Sequence, residues 1–473
     1  MGGLFHTLGL GSESLFANRQ GVDTASHNIA NAQTEGYSRQ RVLLGTREPT
    51  WQRGNLIGNG VFVRDIQRSH NKYVETQLNS AKSRLGSSEE RNEMLKNIEA
   101  IFSPELNASI SDEMTRFFEA VQVLTTYPDD LNTRTQLKEM AENLVSTFHR
   151  VDSELLGLQR TIDDKLMRMT KEISQLTQQI ADYNIQIREL EVGDAAQAND
   201  LRDQRDLAIR RLSERVDIHY YEDQNGMITI RGPKEITIVD RGHASSFSVQ
   251  VSEVRKPWAD VVIAAPDSDT GFPIGEAIAG GKLEGLIRVR DDVIQNLVDQ
   301  NDILAHTVGT QFNNIHRKGF GLGDFAESQG RDFFDGLDAV KGSGREIKLA
   351  NEIVTSTDAI SMASTPSSQG DNVIGNMLLR LKDQPVMDGD ASFHTFYANM
   401  VGTLGIEAAR SEHLLDADKI LAADLQSRRE AVSGVSLDEE AANMIRWQTS
   451  FTASSKVITT VDEMLETILR LKR

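Results

Sequence analysis

Apolar residues near the start of the chain recur every seven positions, at Leu8, Leu15, Val22 and Ile29, with Leu4 and Ala25 between them. That spacing predicts a helix with one stripe packed against another helix. The stripe runs into "HNIANAQTEGYSRQRV" (27–42), whose asparagines and glycine predict a helix stop followed by a tight turn. The end of the chain mirrors the beginning. Leu437, Met444, Phe451, Ile458 and Leu465 are seven apart, with Ala441, Trp447, Val461 and Ile468 between them. Ser436 and Glu439 have the spacing of a capping box at the start of that helix. Two such ends predict that the termini pair with each other.

The middle of the chain carries the longest heptad. Leu155, Ile162, Leu166, Met169, Ile173, Leu176, Ile180, Tyr183, Ile187 and Leu190 alternate steps of three and four, almost without a break. The polar run 191–200 interrupts it, and Leu201, Leu212 and Val216 resume a helix, so an antiparallel helical hairpin is expected whose two arms cover each other. From Asp217 the period changes to two. "DIHYY", "MITI", "EITIVD", "SFSVQVSEV" and "DVVIAA" are short β-branched runs, and Asn225-Gly226 is a hairpin signal. Helical pattern returns with Leu286, Val293, Leu297, Leu304, Val308, Phe312 and Ile315, and again after Asn372.

The fold class is therefore mainly α. The expected architecture is a nested long-helix bundle with paired terminal coiled-coil helices and a small inserted antiparallel β domain. The corresponding units are 1–45 plus 431–473 as a terminal coiled-coil assembly domain, 46–216 plus 285–430 as the long helical bundle, and 217–284 as the β insert. The Gly-rich, aperiodic stretch 319–345 reads as a loop laid against the β insert. A lone terminal helix with one apolar face has nothing to bury it, so both ends are expected to be flexible before assembly.

Charge and composition narrow the function. The net charge of −19 speaks against a nucleic-acid partner, which needs clustered Lys and Arg. The acidity is not at the N-terminus, where Glu13, Asp23 and Glu35 balance Arg19, Arg39 and Arg41, so that end can pack closely with copies of itself. No apolar run reaches the ~18–20 residues that a membrane span needs, and no membrane partner is expected. The opening "MGGLFHTLGLGSESLF" lacks the basic and apolar regions of a secretory signal peptide. The chain has no cysteine, which removes disulfide and thiolate chemistry.

Catalytic and metal-binding patterns are absent from the sequence. There is no H-E-x-x-H and no G-x-S-x-G, and "GEAIAGGKL" (275–283) misses a phosphate loop because Gly275 is one residue too far from Gly281-Lys282 and Leu283 replaces the Ser or Thr. Gly319, Gly321 and Gly323 lack the spacing of a dinucleotide fingerprint. No enzyme activity, metal or cofactor is expected.

The stretch "NIANAQTEGYSRQ" (28–40) resembles the signature of the flagellar rod, hook and hook-associated axial proteins, whose first helix ends in N-I-A-N followed by T-x-G-Y. Rod and hook proteins commonly continue with Lys. Gly36-Tyr37-Ser38-Arg39-Gln40 is closer to the hook-associated proteins that join hook to filament. Residues 199–218, 283–294, 311–322 and the C-terminal segment follow the order of that family's landmarks, and the likeness is weakest in the β insert.

The resemblance implies a structural axial protein of the bacterial flagellum that forms the first junction ring between hook and filament and assembles through its terminal helices. Its implied partners are further copies of itself, the hook protein, the second hook-associated junction protein, a flagellar export chaperone and the type III export apparatus. Its implied place is the flagellum outside the cell, or a flagellum within a periplasm. The resemblance singles out the corner Asn28, Ile29, Asn31, Gly36 and Tyr37. In that corner Asn28 and Asn31 are expected to bond freed backbone groups, Gly36 to take φ > 0, and Tyr37 to pack its ring and offer its hydroxyl. Leu8, Leu15, Val22 and Ile29 form the N-terminal assembly stripe. Leu437, Met444, Trp447, Phe451, Ile458, Val461, Leu465 and Ile468 form the C-terminal one. A second-layer junction protein or the hook protein shares this terminal design. A coiled-coil type III secreted effector or adhesin accounts for the heptads but not for the corner.

Overall fold

The computed structural model describes residues 2–52, 55–103, 108–191, 197–252, 257–266 and 271–471. The chain opens on α1 (Gly2–Ala30), turns, and passes through β1 (Gln40–Thr46), β2 (Thr50–Gln52), β3 (Asn55–Ile57) and β4 (Val61–Arg68). β1 and β4 pair antiparallel with a bulge at Leu43/Leu44, and β2 pairs with β3 at the far end of this ribbon. The expectation of bundle helix from residue 46 is corrected here. Val61, Phe62, Val63 and Ile66 are β-branched or aromatic and fit a pleated surface, and Gly60, at φ 82°, supplies the left-handed turn into β4.

Four helices follow: α2 (Lys72–Phe102), α3 (Ile110–Thr126), α4 (Leu131–Glu191) and α5 (Asn199–Ser213). Asn71 starts α2 by accepting from the backbone N–H groups of Tyr73 and Val74, and Ser109 starts α3 by accepting from Asp112. With 61 residues, α4 runs ~90 Å and is the spine of the molecule. Its buried face is Leu137, Leu144, Phe148, Leu155, Ile162, Leu166, Ile173, Ile180 and Ile187.

Strands β5 (His219–Glu222), β6 (Ile228–Arg231), β7 (Thr237–Asp240) and β8 (His243–Ala244) form one antiparallel sheet, turning at Gly226 with φ 74°. β9 (Ser246–Val251), β10 (Ala259–Ala264) and β11 (Gly271–Pro273) form a second.

The expected helical hairpin forms, with α5 antiparallel to the end of α4, but the strands limit its extent. α5 has only 15 residues, so it covers just the end of α4. The stretch around Ile173 and Ile180 is closed by the strands instead. Ser174 donates to the carbonyl of Phe247 and accepts from its N–H (3.1 and 2.8 Å), Thr177 donates to Ser245 O (3.2 Å), and Asn184 donates to Ile228 O and Arg241 O (2.8 and 2.7 Å). Polar side chains on the heptad face satisfy strand backbone that would otherwise be buried unpaired. Apolar spacing carries no sign of that.

α6 (Gly281–Arg288) continues through a π-turn at Val289–Ile294 into α7 (Gln295–His316). The π-turn points Arg290 at α4, where it meets Asp163 at 2.5 Å and Ala259 O at 2.6 Å. The Gly-rich stretch then folds back through β12 (Phe334–Asp335), α8 (Ser343–Glu346), β13 (Lys348–Leu349) and α9 (Asn351–Thr355). Its anchor lies against α7 and α3, which corrects its expected seat on the β insert. Phe333 packs on Phe312 with ring centroids 4.8 Å apart, Phe117 closes the cluster, and Asn313 accepts from the N–H groups of Phe333 and Phe334 at 2.9 Å. His316 is fully buried, with Nδ1 donating to Arg331 O and Nε2 accepting from Ser361 N, both at 2.9 Å.

The chain closes with α10 (Val373–Leu381), α11 (Phe393–Ser433) and α12 (Leu437–Leu471). α11 lies along α2, joined by the small cluster Leu78, Ala81, Ala422 and Leu425 and by ion pairs such as Arg91–Glu407. Among the described residues, the large apolar core runs from Met94 to Ala408 and takes nothing from α1, β1–β4 or α12.

Candidate functional site: the helix corner and the terminal helix pair

Asn28 is 1% exposed and uses all four of its side-chain hydrogen bonds. Its Nδ2 donates to Gln40 O and to Glu440 Oε2, each at 2.9 Å. Its Oδ1 accepts from Gln40 N at 2.9 Å and from the Tyr37 hydroxyl at 2.7 Å. One side chain thus ties α1 to the start of β1 and to the first turn of α12. Asn31 alone takes the capping role expected of both asparagines, donating to His27 O at 3.1 Å. Gly36 has φ 85° and sits on Leu207, where a β-carbon would be 3.1 Å away. Tyr37 packs edge-on against His27, with centroids 5.6 Å apart. The hydroxyl proton of Tyr37 goes to Asn28, so His27 Nδ1 donates to the phenol oxygen at 3.0 Å. Burial, then Asp200, Asp203 and Glu440, push the phenol pKa well up and keep it protonated. Ile29 is half-buried beside this knot.

Charged groups extend the corner in both directions. Arg39 donates from Nε to Glu440 at 2.7 Å and from Nη1 to Glu439 at 2.8 Å, while its backbone N–H meets Ser433 O at 2.8 Å. Toward α5, Ser38 N donates to Asp203 at 2.9 Å, and Arg68 from β4 bridges Asp203 and Asp206 at 2.7 and 2.9 Å. Burial raises the Asp203 carboxyl against the opposing pull of Arg68. Below the loop, buried Glu75 accepts from Arg429 at 2.6 Å and from Arg210 at 3.1 Å, and Arg429 also donates to Gly36 O at 3.0 Å. α2, α5 and α11 are locked to the corner by this single carboxylate. A polar cleft of about 820 Å³ opens here between the loop, α5 and the α11–α12 link.

α1 and α12 are antiparallel: Gly11 faces Ile458, Gly21 faces Trp447, and Asn28 faces Glu440. The face of α1 against α12 is Gly11, Ser14, Asn18, Gly21, Ala25 and Asn28, in steps of three and four. Ser14 and Ser454 share a hydrogen bond at 2.8 Å, and Asn18 Nδ2 donates to Ser454 at 3.1 Å. Leu8, Leu15, Val22 and Ile29 lie beside this seam and are half-buried. On α12, Met444, Trp447, Phe451, Ile458, Val461 and Leu465 are half-buried or buried, whereas Leu437 and Ile468 at its two ends are exposed. Large side chains of α12 rest on bare backbone of α1.

The expectation of solitary, unburied ends therefore differs from the structure, because each terminal helix is the other's partner. The seam and its polar members Ser14, Asn18, Glu440 and Arg39 escaped the sequence reading, which followed large apolar residues. The available signal was a run of Gly, Ser and Asn at heptad spacing, poor helix formers that a helix keeps only where something packs close.

Among the described residues no group of His, Asp and Glu is placed to hold a metal, and no helix is long and apolar enough to cross a membrane. The sequence profile described as "Flagellar hook-associated protein FlgK helical domain" matches residues 95–334, just over half of the chain. The chain belongs to the FlgK family of flagellar hook-associated proteins. This is a family of structural flagellar proteins.

A second profile, the C-terminal part of flagellar basal-body rod proteins, matches residues 427–471, which hold the end of α11 and nearly all of α12. The chain is similar to flagellar hook-associated protein 1 of Bacillus subtilis (26% identity, covering 96% of each chain). It is also similar to its counterparts in Salmonella typhimurium (24%, covering 97% of this chain and 98% of the relative) and Escherichia coli (23%, with the same shares). The solved flagellar hook junction protein FlgK of Burkholderia pseudomallei has the same fold, with TM-score 0.68 at 14% identity over 76% of this chain and all of the other.

Proposed function

We propose that this protein forms the first ring between hook and filament in the extracellular bacterial flagellum, with the α1–α12 pair as its assembly element. The observation that carries the reading is the pair itself. It stands outside the main core, is held to the body where Ser38 meets Asp203 of α5 and Gly36 meets Arg429 of α11, and still exposes Phe5, Phe16, Ile445, Met464 and Leu469. Apolar groups left uncovered on a rigidly attached element are what self-assembly requires.

In this reading 1–45 with 431–473 is the assembly domain, and the corner residues, with the stripes of α1 and α12, are its working parts. The helical body and the strands around α4 form the outer layers. The ring meets the hook protein on one side and the second hook-associated protein on the other, after export through the type III apparatus with a dedicated chaperone.

The test is deletion and complementation. Cells lacking the protein should make hooks without filaments and shed flagellin into the medium. A labelled copy should restore filaments and mark one band per flagellum at the end of the hook. Label along the whole hook, or filaments in the deletion strain, would reject the reading.

A further inference from the structure

We propose that Asn225 is a site of spontaneous deamidation, and that its conversion to isoaspartate releases Arg205 from the turn between β5 and β6. The inference does not depend on the ring-forming role above.

The chain has two Asn-Gly pairs, Asn59-Gly60 and Asn225-Gly226. In such a pair no β-carbon shields the glycine nitrogen, so it can reach the asparagine side-chain carbon. The fold treats the two pairs differently. Asn59 Nδ2 donates to Glu48 O at 2.6 Å and its Oδ1 accepts from Thr50 at 3.2 Å, so that amide is held at both ends. Asn225 is exposed at the tip of the β5–β6 turn, and among the described residues its side-chain amide has no partner. Asp223 closes the turn, with Oδ1 accepting from the backbone N–H groups of Asn225 and Met227 at 2.8 and 3.1 Å. Gly226 N donates to Asp223 O at 3.2 Å, at the long end for such a bond. Breaking that bond turns the nitrogen toward the free side chain.

The step is a substitution at Cγ of Asn225. Gly226 N bonds to Cγ, the Cγ–Nδ2 bond breaks, and Nδ2 leaves as ammonia with the proton of the glycine amide. The five-membered imide then takes up one water. Opening between Cγ and the nitrogen gives aspartate. Opening between the backbone carbonyl carbon and the nitrogen gives isoaspartate, whose main chain runs through Cγ. Water is the only co-reactant.

The turn carries more than itself. Gly226 O accepts from Arg205 Nη1 at 2.6 Å. Arg205 is 1% exposed; the same Nη1 donates to Asn184 on α4 at 2.9 Å, and Nη2 meets Glu222 on β5 at 3.1 Å. Its Nε has no partner among the described residues. One buried guanidinium from α5 therefore joins α4, β5 and the turn. Isoaspartate adds a main-chain carbon beside Gly226 and moves that carbonyl off Arg205. A buried cation that loses an acceptor weakens what it joins.

The experiment ages purified full-length protein at mildly alkaline pH, beside a sample unfolded in guanidinium chloride, and maps both by peptide mass spectrometry. In the folded sample aspartate and isoaspartate should accumulate at position 225 several-fold faster than at position 59. In guanidinium the two rates should converge, because only the fold separates them. An intact Asn225, equal rates in the folded protein, or a difference that persists in guanidinium overturns the site. The isoaspartate-containing fraction should exchange the amides of Ile228–Arg231 several-fold faster than fresh protein, and Asn225→Gln aged in the same way should not. Fresh Asn225→Asp carries the charge without the added carbon and should exchange like the wild type. Unchanged exchange in the isoaspartate fraction, or equally fast exchange in Asn225→Asp, overturns the release of Arg205.

Discussion

The indole of Trp447 lies directly on the backbone of Gly21, so close that a β-carbon on Gly21 would collide with the ring. This one contact fixes how near the two ends of the chain approach. Gly21→Ala ought to make α1 a better helix by about 1 kcal/mol. It should nevertheless weaken the α1–α12 pair by about 1–3 kcal/mol, the usual effect of overpacking. Faster hydrogen exchange across Leu437–Leu471, with loss of swimming, is the expected outcome. Unchanged exchange there would mean that the pair tolerates a wider spacing.

Asn28→Asp replaces a donor to Glu440 with a second buried carboxylate. The loss of the bonds to Gln40 O and Glu440, plus the new repulsion, should cost ~3 kcal/mol at the corner. Adding Glu440→Gln restores a donor across the same gap. In a double-mutant cycle at neutral pH the pair should therefore be less damaging than the sum of the single changes. Simple additivity would show that the two side chains are not coupled.

Ile458 packs on Gly11 within the chain, and among the described residues the main core contains none from α1 or α12. Ile458→Asp should therefore leave the principal melting transition near its wild-type temperature while opening the terminal pair, seen as loss of amide protection in both end helices. The variant should be exported and soluble but fail to join hook to filament. The exposed Lys456→Gln is expected to be close to neutral. A lowered main transition in Ile458→Asp would place α12 within the cooperative core.

His316 gives a pH signature. Complete burial pushes its pKa down from 6.5 to about 4, so the folded protein resists a proton that the unfolded chain accepts. Stability from this group is complete above about pH 6.5 and falls as pH drops toward 4, by ~3 kcal/mol in total. Asp152, Asp163 and Asp203, whose carboxyls are raised by burial, act with the opposite sign, so the comparison must be with a variant rather than absolute. His316→Gln is expected to lower the melting temperature at pH 7 yet flatten its dependence between pH 4 and 6.5. An equally steep slope in the variant would assign the acid sensitivity elsewhere.

Periodicity determined the long helix of the middle, the strands after Asp217 and the apolar stripe at each end, because backbone period is set locally by side-chain burial on one face. It did not mark the β1–β4 ribbon, most of which falls within the span expected as helical bundle. At the corner the residue pattern marked a helix stop and a tight turn, and the resemblance to the flagellar axial proteins singled out Asn28, Ile29, Asn31, Gly36 and Tyr37. What each stripe meets was decided by tertiary structure. The heptad of α4 is closed by strand backbone through Ser174, Thr177 and Asn184 as well as by a partner helix, and hydrogen-bonding polar residues leave no mark in an apolar repeat. The Gly-rich stretch found α7 through Phe333 and Asn313, a match of shape and donors across distant parts of the chain. On α1 the leucines that announced the helix lie beside the seam, and the seam itself is built from Gly11, Ser14, Asn18 and Gly21, since the bulk that fills it is supplied by Trp447 and Ile458 from the other end of the chain.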